Sequence, residues 1–207
     1  MMTNKKISMW FPTLIYENIL DTFRSHTHHL LSKAYSIRTA EPDVKTEWSC
    51  DTYNTMLQYN AIKDDDKIVQ LLITECKNLV IDFAKEFGIN KTIADLECND
   101  FWFNIAEPGS YQEYHQHPRS DFSLVYYVKT NKDSGNIVFQ PSSSISDSFP
   151  LITDELTYAS FRTCSYNTKE SLVLIFRSSL AHMVEKNLSN EDRISIAMNF
   201  KFKEPQQ

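Results

Sequence analysis

The constraint that bears hardest on the fold is a change of period near residue 98. Beyond it, Asp100 to Ala106, Tyr111 to His117, Phe122 to Lys129, Asn136 to Gln140, Ser171 to Phe176, Ala181 to Glu185 and Arg193 to Phe202 are short runs rich in β-branched and aromatic residues. Turn residues separate them: Pro108-Gly109, Asp133-Ser134-Gly135 and Asn187 to Asp192. Seven or eight short strands with no helix between them make a sandwich or a barrel.

Ahead of the change the period is helical. Ile19, Leu20, Phe23, Leu30 and Leu31 predict a helix from Tyr16 to about Ala34. A second is predicted from Asp65 to Phe87, with Ile68, Leu71, Leu72, Cys76, Leu79, Val80, Phe83 and Phe87 on one stripe. Asp64, Asp65 and Asp66 place negative charge at its start, and Gly88 stands where a helix-ending glycine belongs. No internal repeat or linker is visible. The expected organisation is one domain over 1–207, with 1–97 as mainly helical support and 98–203 as the β core. The stretch from Ser142 to about Lys169 is a long insertion of the kind that forms a lid or binding loop.

Several function classes are excluded. The 207 residues include only three glycines, Gly88, Gly109 and Gly135, where average usage would give about fourteen. Glycine-rich phosphate loops are therefore absent. Lys plus Arg number 21 against 27 Asp plus Glu, a net charge of -6, and the basic residues are scattered, so nucleic acid is not expected as a direct partner. Cys50, Cys76, Cys98 and Cys164 lie far apart, without a CxxC pair or a dense disulfide framework, which fits a reducing cytoplasm. Lys5 and Lys6 precede an apolar run from Ile7 to Tyr16, but Pro12 interrupts it and no small-residue cleavage site follows. No stretch is long and uncharged enough to span a membrane.

The candidate chemistry lies in the histidines. His26 and His28 on a helix stand about 200° apart, so with His29 they read as a solvated or interfacial face. On a strand the same spacing places both side chains on one side. His115 and His117 can then converge on one ion at a barrel mouth, with Glu113 next along that face. His182 follows the strand from Leu172 to Phe176, and a barrel can fold it back onto the first pair. Arg193 and Ser195 share a strand face with Ala197 and Asn199, and no acidic residue alternates with them. A buried Arg193 would therefore need a ligand carboxylate, clamped by its guanidinium with help from the Ser195 hydroxyl. The plainer alternative makes Arg193 a rim residue paired with Glu191 or Asp192.

These residues in this order resemble the Fe(II)/2-oxoglutarate-dependent oxygenase superfamily, and more narrowly the phage and bacterial "putative 2OG-Fe(II) oxygenase" family. The resemblance runs through Phe11 to Tyr16, Trp102-Phe-Asn104 with Pro108-Gly109, His115-Gln-His117-Pro118 leading to Ser123 to Tyr127, Leu172 to Phe176 with His182, and Arg193-Ile-Ser195 to Asn199. It implies a mainly β fold, a double-stranded β-helix (jelly-roll) barrel with supporting N-terminal α-helices. It also implies a dioxygenase using Fe(II), 2-oxoglutarate and O2, which hydroxylates a C–H bond of a small-molecule or peptide substrate and releases succinate and CO2. His115 and His182 would be iron ligands. His117 occupies the position where most of the superfamily has Asp or Glu, with Asp121 as the alternative third ligand. Arg193, Ser195 and Tyr127 would bind the distal carboxylate of 2-oxoglutarate, and Asn104 would line the cavity. Glu170 stands near a position the family usually gives to glycine.

Trp102, Phe103, Tyr126 and Phe176 are candidates for the dry walls of such a site, or for plain core. Two other readings use the same residues. Gly109, His115, His117 and Asp121, with His182 and Asn187, also resemble the motifs of a cupin that binds metal without 2-oxoglutarate. Arg193-Ile-Ser195 separates the two, because the cupin motifs give it no task. A barrel that has lost iron and serves as a non-catalytic binding module is the third reading, supported by the missing carboxylate at position 117.

Overall fold

The computed structural model describes residues 6–42, 52–56, 64–141 and 152–203. Its elements are β1 (Ile15–Ile19), α1 (Thr27–Ala40), β2 (Tyr53–Asn54), α2 (Lys67–Lys85), β3 (Leu96–Ala106), β4 (Gln112–His115), β5 (Phe122–Lys129), β6 (Ile137–Gln140), β7 (Cys164–Tyr166), β8 (Leu172–Arg177), β9 (Ala181–Val184) and β10 (Arg193–Phe202). Short 3-10 turns precede α1 and β3.

The strands form two antiparallel sheets, one in the order β1-β8-β5-β10-β3-β2 and the other β4-β9-β6-β7. This is the mainly β, jelly-roll architecture expected. Strand alternation divides the side chains of the larger sheet between two layers. Ile194, Ile196, Met198 and Phe200 of β10, with Phe101, Phe103 and Ile105 of β3, join a core shared with α1 and α2. Arg193, Ser195 and Asn199, with Trp102 and Asn104, take the opposite parity and line a cavity. Val125, Tyr127, Phe139, Leu174 and Phe176 form a second, smaller core on that inner side. Strands β3 and β5 are buried on both faces because helices cover one and the cavity wall the other.

Helix α2 follows the sequence closely. The Asp66 carboxylate accepts from the N–H groups of Ile68 and Val69, satisfying donors that a helix start leaves open. Gly88 ends the segment at φ +73°. Leu71 departs from the predicted stripe and is 44% exposed. The first helix differs more. Ile15–Ile19 is a strand paired antiparallel with β8, Ile15 facing Phe176 and Ile19 facing Leu172, so the helix begins at Thr27 rather than Tyr16. The apolar residues at 16, 19, 20 and 23 fit a helical stripe, yet edge pairing with β8 settles the conformation.

The insertion after β6 is not wholly irregular. Cys164–Tyr166 returns to pair with β6, Val138 facing Ser165, while Ser142 to Ser148 lies outside the described residues. At the other break from the family pattern, the backbone solves the problem without glycine. Ser171, next to Glu170, adopts φ +66°. Its carbonyl accepts from Leu20 N–H and its own N–H donates to Tyr127. Among the described residues no helix is long and apolar enough to cross a membrane.

Candidate metal centre and carboxylate pocket

Pairing of β4 with β9 sets His115 directly opposite His182. His117 lies just past the end of β4, where its N–H donates to the Ser178 carbonyl at 2.9 Å. Its ring lies between two others, stacked on Trp102 at 5.4 Å and on His182 at 5.1 Å. The His117 and His182 Nε2 atoms face each other at 3.2 Å. One nitrogen from each of the three histidines falls within 4.8 Å of the others, a group that could hold a metal ion.

Hydrogen bonding defines two of the tautomers. His115 Nδ1 lies 2.7 Å from the Glu113 carbonyl and His182 Nδ1 lies 2.9 Å from that of Leu180. A carbonyl only accepts, so each Nδ1 carries the proton and each Nε2 keeps its lone pair for an ion. Burial lowers the pKa of all three: His182 falls well below the usual value, and His117 drops to about 4 with the His115 charge contributing. At neutral pH the cluster is uncharged, the form that binds metal.

The acids considered for this centre stand elsewhere. Asp121 accepts the Phe202 N–H at 2.8 Å, holding the end of β10. Glu113 contributes its backbone carbonyl to His115, and its side chain is outside the three-residue group. Asn187, the second-motif candidate of the cupin reading, braces a loop by donating to the carbonyls of Ala106 and Glu191. His28 and His29 are on α1, hydrogen-bonded to Ser32 and Asp66.

Arg193 is 3% exposed and lines a cavity of about 720 Å³ that also takes in the histidines. The rim alternative does not hold: Glu191 pairs with Lys129, and Asp192 is engaged by Tyr35 and Arg38. Arg193 Nη1 donates to the Ser134 carbonyl, with Gly135 and Glu185 carbonyls at 3.5 Å. Among the described residues Nε and Nη2 have no acceptor and no carboxylate pairs with the guanidinium. Gly135 permits this closure. At φ +88°, a Cβ there would strike the Glu185 carbonyl and come within 3.0 Å of Arg193 Nη1.

Ser195 sits opposite both Asn104 and Tyr127 in the sheet. The Ser195 and Tyr127 hydroxyls line the same cavity without a hydrogen-bond partner among the described residues. Burial raises the Tyr127 phenol to about 12, partly countered by the Arg193 charge, so it remains a donor. Asn104 Oδ1 accepts from Gln112 at 3.1 Å and Asn54 at 3.5 Å. A buried guanidinium without a carboxylate partner, with two hydroxyls beside it, has the donors that an anionic carboxylate could use. Trp102 and Phe176 do line the cavity, whereas Phe103 and Tyr126 belong to the helix-side core. One cavity residue gave no signal beyond its parity: Asp100, on the same face as Trp102 and Asn104.

Residues 100–199 match the family described as "Putative 2OG-Fe(II) oxygenase". A comparison with curated protein sequences gives no match. Among solved structures, a prolyl-4-hydroxylase of Pseudomonas putida is similar with a TM-score of 0.65 and 12% identity, over 93% of this chain and 94% of that one. The α-ketoglutarate-dependent carbocyclase SnoK of nogalamycin biosynthesis gives 0.65 and 10%, over 91% and 79%. HygX of Streptomyces hygroscopicus, solved with nickel and 2-oxoglutarate, gives 0.61 and 12%, over 92% and 84%. These likenesses establish the jelly-roll fold. The match over residues 100–199 spans all three histidines and Arg193, so it is this stretch of the chain that is similar to that oxygenase family.

Proposed function

We propose that the chain is a 2-oxoglutarate-dependent hydroxylase in which His115, His117 and His182 hold Fe(II). The observation that carries this is the approach of three neutral ring nitrogens to within 4.8 Å on the wall of a cavity that also contains an unpaired arginine. Arg193 binds the distal carboxylate of 2-oxoglutarate as a planar fork, with Ser195 and Tyr127 donating to the same group and Asn104 lining the cavity. Bound iron with 2-oxoglutarate and O2 supplies an oxidant able to remove hydrogen from a C–H bond, with succinate and CO2 as co-products.

The chain's own residues orient and shield. Trp102 and Phe176 exclude water from the histidine cluster, and the Nδ1–H bonds to backbone carbonyls fix the rings of His115 and His182. The cupin reading leaves Arg193 buried without a task. The whole chain acts as one domain, and a reducing cytoplasm suits the free thiols of Cys76, Cys98 and Cys164. The substrate is a small molecule or a peptide side chain. Anaerobic titration with Fe(II) and then 2-oxoglutarate tests the reading: a visible charge-transfer band that needs both additions supports it, and its absence at saturation contradicts it.

A further inference from the structure

The cavity has two polar ends. Inward-facing residues of β10 follow one another at about 7 Å, two residues of strand rise, from Arg193 through Ser195 and Ala197 to Asn199. Ala197 lies opposite Trp102, on which His117 stacks, and Asn199 lies opposite Asp100 and Ser123. The histidine cluster thus faces the middle of the row, with the arginine at one end and a carboxylate at the other.

That carboxylate is held by a built network. Asp100 Oδ2 accepts from Asn199 Nδ2 at 3.0 Å and from Asn99 Nδ2 at 2.9 Å. Asn199 is fixed in turn by the Ser123 hydroxyl at 2.7 Å, and Ser123 meets Ser178 at 2.8 Å. Asn199, Ser123 and Ser178 are 3%, 2% and 0% exposed. Such an investment of buried polar groups orients one carboxylate. Its Oδ1 accepts no hydrogen bond among the described residues, and no cation there pairs with it. Arg119 lines the same opening and makes no ion pair among the described residues.

We infer that Asp100 anchors the substrate, and that the substrate carries an alkylammonium group. An uncompensated carboxylate on a cavity wall favours a cation with N–H donors over a neutral hydroxyl or amide, since charge-assisted bonds are the stronger ones. Asp100 and Trp102 are one inward step apart on β3, about 7 Å. An ammonium on Oδ1 therefore lies beside the histidine cluster and not on it, and the carbons following the nitrogen are presented to the cluster. The inference rests on the cavity's being the substrate site of the proposed oxygenase. Two sources share this chemistry, a free basic amino acid and a lysine side chain in a peptide.

The test is calorimetric titration of the full chain, held anaerobically with Fe(II) and 2-oxoglutarate and also without them. The probes are n-butylamine against 1-butanol, then L-lysine against a short terminally blocked lysine peptide. Saturable binding of the amines, preferred over the alcohol and weakened ten- to hundredfold by Asp100→Asn, is the expected result. The 2-oxoglutarate affinity of that variant should stay within about twofold of wild type, because its anchor is at the Arg193 end. A stronger response to L-lysine identifies a free amino acid, and one to the peptide identifies a protein substrate. Equal affinity for amine and alcohol, no saturable binding of any amine, or unchanged amine binding by Asp100→Asn overturns the assignment. Wild-type selectivity decides the matter if the variant does not fold. Asp100-dependent amine binding without any 2-oxoglutarate binding would defeat the oxygenase reading alone and leave the amine site standing.

Discussion

His117 and His182, 65 residues apart in the chain, place their Nε2 atoms 3.2 Å from each other in parallel rings. Two imidazoles with both nitrogens deprotonated would repel at that distance, so the contact calls for a proton or a cation between them. His115, paired across the strands with His182, supplies the third nitrogen.

On this arrangement we expect His117 to be the third ligand and Asp121 to have a different task. His117→Ala should abolish measurable Fe(II) binding. Asp121→Ala should keep iron and instead lower stability by about 1.5–3 kcal/mol, the contribution of a hydrogen bond to a charged acceptor, here the Phe202 N–H. Equilibrium dialysis with Fe(II) and urea denaturation of both variants separate the two roles. Iron retained by His117→Ala and lost by Asp121→Ala would reverse the assignment.

Trp102 supports the same ring from its far side. It is 4% exposed and stacks on His117 with an interplanar angle of 22°. Trp102→Ala should cost about 3–5 kcal/mol as a core truncation and loosen His117, weakening Fe(II) by about 10–100-fold as loss of an orienting partner does. Trp102→Phe should recover much of the metal affinity. An alanine variant with wild-type iron affinity would mean that the stack only fills space.

How much of this was legible in sequence follows from what each element depends on. Strands β5 and β10 match the expected runs at both ends, because each is a long apolar or alternating series fixed by its own residues. Strand β7 has no such pattern: Cys164-Ser-Tyr166 is exposed or half-buried and exists through pairing with β6. Strand β1 carries apolar spacing that suits a helix equally well, and only a partner distant in sequence decides it. In the site, His115 and His182 were visible because residue type and strand pairing agree, whereas His117 lies past the end of β4 and is held beside them by its N–H bond to the Ser178 carbonyl. Asp100 shares the right parity, but an acid at the head of a strand looks like a solvated end until Asn199 and Ser123 are seen behind it.

The histidine cluster also makes the metal-free chain sensitive to acid. Folded-state pKa values below the ordinary 6.5, down to about 4 for His117, mean that unfolding takes up protons between those limits. Stability is then fully present above about pH 6.5 and is lost as pH falls toward 4, by at most about 1.4 kcal/mol per pH unit for each histidine. Urea midpoints of chelator-treated protein between about pH 7.5 and about pH 5 should show this slope, and His117→Gln should flatten it by close to one proton. A wild-type stability independent of pH across that window would contradict the burial of the cluster.

The last prediction concerns the guanidinium that lacks a carboxylate. Arg193 Nη1 is committed to the Ser134 carbonyl, so the remaining donors of the fork are what a ligand can use. Each hydrogen bond to a charged group contributes about 1.5–3 kcal/mol, and a pair of them lost together corresponds to one to three orders of magnitude in affinity. Arg193→Ala should therefore weaken 2-oxoglutarate by that range while leaving Fe(II) affinity unchanged, since the arginine is outside the metal group. Arg193→Lys should restore only part, because a point charge cannot hold Ser134 and present a planar fork at once. Gly135→Ala is the independent control. It leaves every polar group in place but forces a Cβ against Glu185 and the Arg193 headgroup, so it should weaken 2-oxoglutarate and lower stability together, with Fe(II) again unaffected. If succinate release under limiting 2-oxoglutarate is the same in Arg193→Ala as in wild type, the carboxylate is bound elsewhere and Arg193 is only a buried brace for the Ser134 turn.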